Sequence, residues 1–564
     1  MAKKKISRLC FLVVWMCFVA LTAGAQSFQV QCPSTTVTHP STLHDNNSEP
    51  AYAGPTNIAI NDKGFWAPTA NVNGAIKCQQ ISGGDGFATM GDGTQTYLFS
   101  FGPLSGLKDM AAGEPGTQFP NVFNTATSAL VPGDPAVSLG ITPGTWPAFP
   151  IDTSTFSYNG AVGLAPDTDA IAAGLCTAPC LDGHVDPRQI MDVGVMNGNI
   201  PAPLMAIDED DEFFLTLTNV GMIMRPDLFE QHTVHFHGYP NASAFYDGVP
   251  DASVAINIGG SFTYYYLAPD AGTYFWHCHI TPPEHLQMGM VGQIYVRPRQ
   301  NRVNGSVATA LLNQQGDART ACRRAGDGAL PTIAPGSVPP DILCSNPMPA
   351  VTTTETNDTT KQYAYNDGDG STRYDVEYPL QIHGFDPNFH FVGMTFNPEA
   401  FVDMKDKYFL LNGRSYPDTV TPGPLATQST DGAMHFSQPL PAIINIPAGG
   451  RALLRISDLD VTEYQTLASL GIPMQVIALN AKLLRDQAGA NLAYRTNSIT
   501  LAGGESLDVI LDATGIPAGT YYLYTPNLDH LSNDAENFGG MMTEVHVCSG
   551  GITGGNTFGN RCAN

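Results

Sequence analysis

The sequence predicts an all-β protein made of two Greek-key β-sandwiches joined by long irregular segments. The first supporting observation is composition. Charged residues make up only 14% of the 564 residues, while Gly (57) and Pro (43) are abundant and 43% are hydrophobic, as in a turn-rich chain with real cores. The second is a set of short alternating segments, among them YLFSFG (97–102), EFFLTLTNV (212–220), KYFLLNG (407–413), ALLRISD (452–458) and MQVIAL (474–479). The third is an internal repeat. IGGSFTYYYLAPDAGTYFWHCH (258–279) and LAGGESLDVILDATGIPAGTYYLYTP (501–526) share a GG turn, an alternating strand, a short turn and a GTY strand. Each copy reads as a pair of neighbouring strands in a sandwich.

The elements follow in order. Residues 1–25 carry Lys3, Lys4 and Lys5, an apolar run from Leu9 to Leu21 and an A-x-A site at Ala23–Ala25, the pattern of a cleaved signal peptide. The apolar run is short for a membrane span, and no twin-Arg pair is present, so export unfolded, with metal loading outside the cytoplasm, is expected. Residues 26–76 form an irregular arm. Residues 77–298 form the first sandwich, with a Gly/Pro/Ser/Thr-rich insertion at 103–195. Residues 299–375, including VTTTETNDTT and NDGDGST, form a linker. Residues 376–548 form the second sandwich and 549–564 a tail.

Cysteine usage agrees with export to the periplasm or the extracellular space. Cys10 and Cys17 leave with the signal, and eight cysteines besides Cys278 remain, an even number suited to disulfides. Local closure favours Cys176–Cys180, Cys322–Cys344 and Cys548–Cys562, leaving Cys32 with Cys78. The formal net charge of −25, or −29 without the four basic residues of the signal, excludes a nucleic-acid-binding role and an anionic membrane surface.

The chemistry lies in two segments, HTVHFHG (232–238) and HCHITPPEHLQMGM (277–290), which hold six of the 14 histidines. In strands, successive side chains face opposite sides. His235 and His237 then share a face, with His232 on the other. His277 and His279 share a face while Cys278 points away. Pairing the strands sorts two sets: His232 and Cys278 with His285 and Met290 from the following loop, and His235, His237, His277 and His279. Two imidazoles, a thiolate and a thioether are the ligands of a type 1, blue-copper site. The all-imidazole set suits copper that binds oxygen or nitrogen oxides. Cys278 is bonded through the chain to both His277 and His279, which gives electrons a short covalent route between the sets. Zinc also takes Cys and His, but its structural sites use closely spaced cysteine pairs.

On these residues the sequence resembles the multicopper oxidase family, built from cupredoxin domains. HTVHFHG resembles the family's H-x-x-H-x-H element and HCHITPPEHLQMGM its H-C-H-I…H-x-x-x-G-M element. The resemblance extends over roughly 195–298 and 405–548. It implies His232, Cys278, His285 and Met290 as type 1 copper ligands, and His235, His237, His277 and His279 as half of a type 2/type 3 cluster. It also implies a small-molecule or metal-ion electron donor and O2 as acceptor. Two departures stand out. Pro282-Pro283 lengthens the loop between Cys278 and His285 by two residues, which should reshape the rim of the blue site. Outside these two segments no H-x-H pair exists, so the family's oxygen-reducing cluster would need as many imidazoles again as this domain supplies. His383, His390 and His530 are the candidates, from this chain or a neighbouring one. In the second sandwich MQVIAL is expected to take the place of the H-x-H-x-H strand, and Tyr524, Thr525 and Pro526 replace His277, Cys278 and His279. Its GGMM (539–542) echoes the GM turn.

Two other readings share these residues. A copper nitrite-reductase-like enzyme would use His237 and His277 with an imidazole from the next subunit of a homotrimer, but that family places an acid where His235 stands. A blue-copper electron carrier would leave the four clustered imidazoles idle.

Overall fold

A computed structural model describes residues 36–40, 50–104, 164–166, 181–185, 196–306 and 356–563, with breaks of one to six residues inside these ranges. The expected signal peptide and most of the insertion and linker lie outside them, as do Cys32, Cys176, Cys180, Cys322 and Cys344.

The first sandwich is made of β1 (Ile76–Thr89), β2 (Gln95–Pro103), β3 (Met205–Asp208), β4 (Glu212–Gly221), β5 (His235–Phe236), β6 (Ser261–Leu267), β7 (Gly272–His277) and β8 (Val291–Arg297). One sheet runs β6-β4-β1-β2 and the other β3-β8-β7-β5. A short helix, α1 (Pro282–Gln287), separates β7 from β8. The second sandwich is made of β9 (Val376–Phe385), β10 (Tyr408–Leu411), β11 (Ile444–Pro447), β12 (Arg451–Asp458), β13 (Gln465–Leu470), β14 (Met474–Leu479), β15 (Ser498–Leu501), β16 (Glu505–Asp512), β17 (Gly519–Tyr524) and β18 (Met542–Cys548). Its sheets run β10-β9-β12-β16-β14, with two short strands beyond, and β11-β18-β17-β13-β15. A second helix, α2 (Pro387–Gly393), follows β9.

The topologies correspond strand for strand. β1 runs parallel to β4, as β9 does to β12, and β3 runs parallel to β8, as β11 does to β18. The repeat read from sequence is therefore structural, with two corrections. The two strands of each copy, β6 then β7 and β16 then β17, lie in facing sheets rather than side by side. MQVIAL, expected beside the GTY strand, sits in the other sheet against β16. The strand paired with β17 is β13, QTLASL. MQVIAL misleads because its buried apolar run suits either sheet; hydrophobic pattern alone carries no information about pairing partner.

Each sandwich buries its own apolar core, one around Phe99, Phe101, Leu217, Tyr264, Trp276 and Ile294, the other around Leu380, Leu411, Ile456, Val509 and Val545. Buried charges join the two. Glu377 accepts from Arg297 of β8 at 3.0 Å and from Arg455 of β12 at 2.9 Å, and the Arg455 guanidinium stacks over the Tyr295 ring at 4.6 Å. The arginines hold the Glu377 carboxyl down at about 2 although burial opposes them. Cys548 and Cys562 form the expected disulfide, and Cys78 is disulfide-bonded to a residue outside the described set. Among the described residues, no helix is long and apolar enough to cross a membrane.

Candidate metal centre

The two histidine segments meet at the end of β7. Only His235 and Phe236 form a true strand, pairing with His277 and Trp276. His232 is held separately by a two-way backbone bridge to Ile256. Cys278 follows the last residue of β7 and its N–H donates to the Met290 carbonyl at 3.2 Å, which carries the ladder one step further. Alternation across this short register is enough to separate the side chains as expected.

The first set is dry. His232, Cys278, His285 and Met290 are all fully buried, and Cys278 is a free thiol. The ligand atoms of His232, Cys278 and His285 lie within 4.8 Å of one another. His285 Nδ1 lies 3.3 Å from Cys278 Sγ, which also accepts the Thr233 N–H at 3.4 Å. Among the described residues, neither ring nitrogen of His232 has a hydrogen-bond partner. A buried imidazole without partners is costly. A metal bound at this point removes the cost, so the residues fit one. Burial drives His232 well below its ordinary pKa, which leaves it neutral with a free lone pair. Burial also lowers His285, but the Cys278 sulfur and Glu230 outweigh it and raise the imidazole to about 9. A cation entering beside the sulfur replaces that proton.

Neighbours that sequence reasoning missed shape this set. The Glu230 carboxylate stands 3.6 Å from His285 Nε2, an ion-pair separation at the outer edge of the ring. Phe99 packs on His285 and His232, at 5.1 and 6.4 Å between ring centroids. Gly83 leaves the room: a Cβ there would stand 2.7 Å from the His232 ring. Glu230 and Thr233 lie in or beside the motif and were legible as its flanks. Phe99 and Gly83 come from β2 and β1, and only the fold brings them here.

The second set lies at a solvent-facing edge. Ligand atoms of His235, His237 and His277 also fall within 4.8 Å of one another. His277 Nδ1 is 2.7 Å from the Cys278 carbonyl and His235 Nδ1 is 2.6 Å from the Asp247 carbonyl. Those acceptors fix the proton on Nδ1 and leave Nε2 bare on both rings. His237 Nε2 and His277 Nε2 then face each other at 2.9 Å. Burial pushes His277 down to about 3 and His237 to about 4, so the rings are neutral donors at neutral pH. Converging lone pairs of this kind call for a cation between them. His279 is adjacent, with ring centroids 5.0 Å from His235 and 5.6 Å from His277, and lies outside the tightest group.

A cleft of about 540 Å³ opens beside His237 and His277. Its far wall is the second sandwich, including Asp460, Glu463, Tyr464 and Gly503. The three histidines expected as further ligands have other roles. His383 Nδ1 contacts the Leu459 carbonyl at 3.3 Å, and His390 sits between the carbonyls of Tyr97 and Gln287. His530 stacks on Phe409 and contacts Gln465 Oε1 at 3.0 Å. None of the three joins either metal-binding group among the described residues.

Residues 182–301 match the family model described as multicopper oxidase. A laccase of Aspergillus fumigatus is 34% identical over 109 residues, 19% of this chain and 17% of that protein. A copper-containing nitrite reductase of Rhizobium meliloti is 34% identical over 114 residues, 19% of this chain and 27% of that protein. Matches to these relatives thus span less than a third of their length. Among solved structures, a blue copper oxidase from Nitrosomonas europaea aligns with 62% of this chain and 78% of its own, at 21% identity and a TM-score of 0.39. Both histidine sets fall inside the segment that matches the multicopper oxidase model.

Proposed function

We propose that this chain is an exported copper-dependent oxidoreductase that takes single electrons from a small-molecule or metal-ion donor and delivers them to O2. His232, Cys278, His285 and Met290 would hold type 1 copper, and His235, His237, His277 and His279 would hold copper of the type 2/type 3 class. Copper in the first set would take up electrons one at a time, and copper in the second would reduce oxygen. The single observation that carries this reading is the pairing of a dry sulfur-containing set with an all-imidazole set through adjacent residues.

The chain's own groups support each part. Cys278 and His277 are joined by one peptide bond, and His277 Nδ1 also contacts the Cys278 carbonyl at 2.7 Å. That is a short bonded path from sulfur to the second set. His285 turns its Nε2 toward Glu230, whose side chain is 27% exposed, so a donor has an edge at which to deliver its electron. Phe99, Trp276 and Tyr264 share one buried apolar core with Cys278, whose sulfur is thereby shut away from water. At the second set the cleft gives a small oxidant access, and Asp460 and Glu463 supply acidic groups across from the imidazoles.

The nitrite-reductase-like reading stays in view on one observation: three imidazoles form the tight group and His279 lies just beyond it. A homotrimer whose neighbour completes the site belongs to that reading. Copper counted per chain, with oxygen consumption measured on the same sample, tests the proposal. Four coppers with oxygen uptake fit the oxidase; two with nitrite turnover, or one with neither activity, contradict it.

A further inference from the structure

Helix α1 carries His285, and the second sandwich grips it as well as the first. It has six residues, and Thr281 before it has φ +36° and makes no side-chain cap. A helix this short has no stability of its own. Its last residue, Gln287, is fully buried and turns its side-chain amide and its carbonyl toward the second sandwich. Gln287 Nε2 donates to Asp406 Oδ1 at 2.9 Å, Gln287 Oε1 accepts the Asp386 N–H at 3.0 Å, and the Gln287 carbonyl lies 2.9 Å from His390 Nε2.

The gripping residues are themselves fixed. One Asp386 oxygen caps α2 through the Asn388 and Phe389 N–H groups, and the other accepts the Lys405 N–H. Asp406 accepts the Thr462 hydroxyl, and it converges with Asp460 over Gly384, where any Cβ would collide with both carboxylates. His390 also reaches the Tyr97 carbonyl on β2 at 2.5 Å, two residues from the Phe99 ring that packs on His285. The second sandwich thus holds both the helix and the strand that flank the first histidine set.

We propose that Gln287 is a positioning residue for the type 1 site: through it Asp386 and Asp406 of the second sandwich fix the place of His285 and so the site's copper affinity and spectrum. The inference rests on the type 1 reading of His232, Cys278, His285 and Met290. Outer partners of metal ligands typically change affinity by about 10–100-fold when removed.

The test uses the full chain loaded with copper, reading copper affinity, the blue absorption band and the reduction potential beside the thermal midpoint. Gln287→Leu should weaken retention of the blue copper about tenfold and shift the band and the potential, while the remaining copper count stays constant. Asp406→Asn keeps an oxygen for Gln287 Nε2 and should leave band and potential as in the wild type; Asp406→Leu should reproduce Gln287→Leu. A folded Gln287→Leu or Asp406→Leu protein with wild-type affinity, band and potential overturns the proposal. Should Gln287→Leu fail to fold, the two Asp406 variants decide by the same readings. A wild type that takes up copper without a blue band overturns the type 1 reading instead, and the two failures are thereby told apart.

Discussion

The two sandwiches place four residues at the same points of one frame and give them opposite fates. In the first, His235 pairs with His277, which puts His232 three residues before that pair; in the second, Ala468 pairs with Tyr524, which puts Gln465 there. Thr525 follows β17 as Cys278 follows β7, and its N–H donates to the Met541 carbonyl as that of Cys278 does to Met290. His530 comes in the next turn, as His285 does. All four residues of the second group are buried. There the imidazole is satisfied: His530 Nδ1 meets Gln465 Oε1 at 3.0 Å and Nε2 meets Glu463 at 3.3 Å. In the first group neither ring nitrogen of His232 has a hydrogen-bond partner among the described residues. A protein that satisfies one buried set with hydrogen bonds and leaves its counterpart open has reserved the open set for a ligand of another kind.

Replacing the one sulfur should break the contrast most completely. Cys278→Ser should abolish the blue absorption band altogether, and the second sandwich should supply no substitute, since Thr525 offers no thiolate. A band that survives in this variant would place the chromophore elsewhere.

The next largest effect concerns the charges that join the sandwiches. Glu377→Gln removes the anion shared by Arg297 and Arg455, leaving Arg455 only Asp508 at 3.9 Å, and should cost about 3–5 kcal/mol in chemical denaturation. In the wild type, Glu377 has a folded pKa depressed to about 2. Its contribution is therefore complete above the unfolded value near 4.5 and is lost as the pH falls toward 2. Wild type and variant should converge in stability across that window. A constant gap down to pH 2 would deny the ion pair its role.

Smaller effects sharpen the comparison at single atoms. Gly83→Ala sets a Cβ against the His232 ring and should cost about 1–3 kcal/mol as overpacking; its signature is weaker copper retention with the second sandwich unaffected. Met541→Leu conserves volume in the second sandwich, should cost under about 1.5 kcal/mol and should leave the absorption spectrum untouched. A spectral change there would mean that the two frames communicate more closely than their contacts imply.

Much of this was legible in the chain. HTVHFHG and HCHITPPEHLQMGM sort their ligands by alternation alone, and the structure separates them the same way although β5 is only two residues long. The repeat of 258–279 at 501–526 announced the paired frame. What sequence could not supply was pairing between sheets: QTLASL, not MQVIAL, is the partner of the GTY strand, and with that error the equivalence of Gln465 to His232 was hidden. Nor could it supply long-range approach. Phe99, Gly83 and the Asp406 grip on Gln287 come from segments 119 to 186 residues away from the side chains they serve, and no local pattern encodes such a meeting. That His383, His390 and His530, the candidates for completing the second set, pack elsewhere was illegible for a related reason, since an isolated histidine gives no hint of the carbonyl or amide that will occupy it.

Two proposed copper-ligand sets lie side by side in the first sandwich, while the matching frame of the second is closed by hydrogen bonds. An anomalous-difference map collected at the copper edge on copper-loaded crystals tests this directly. The account predicts one peak among His232, Cys278 and His285, further density among His235, His237 and His277, and none between Gln465, Thr525 and His530. No peak at Cys278, or a peak in the second sandwich instead, would contradict it.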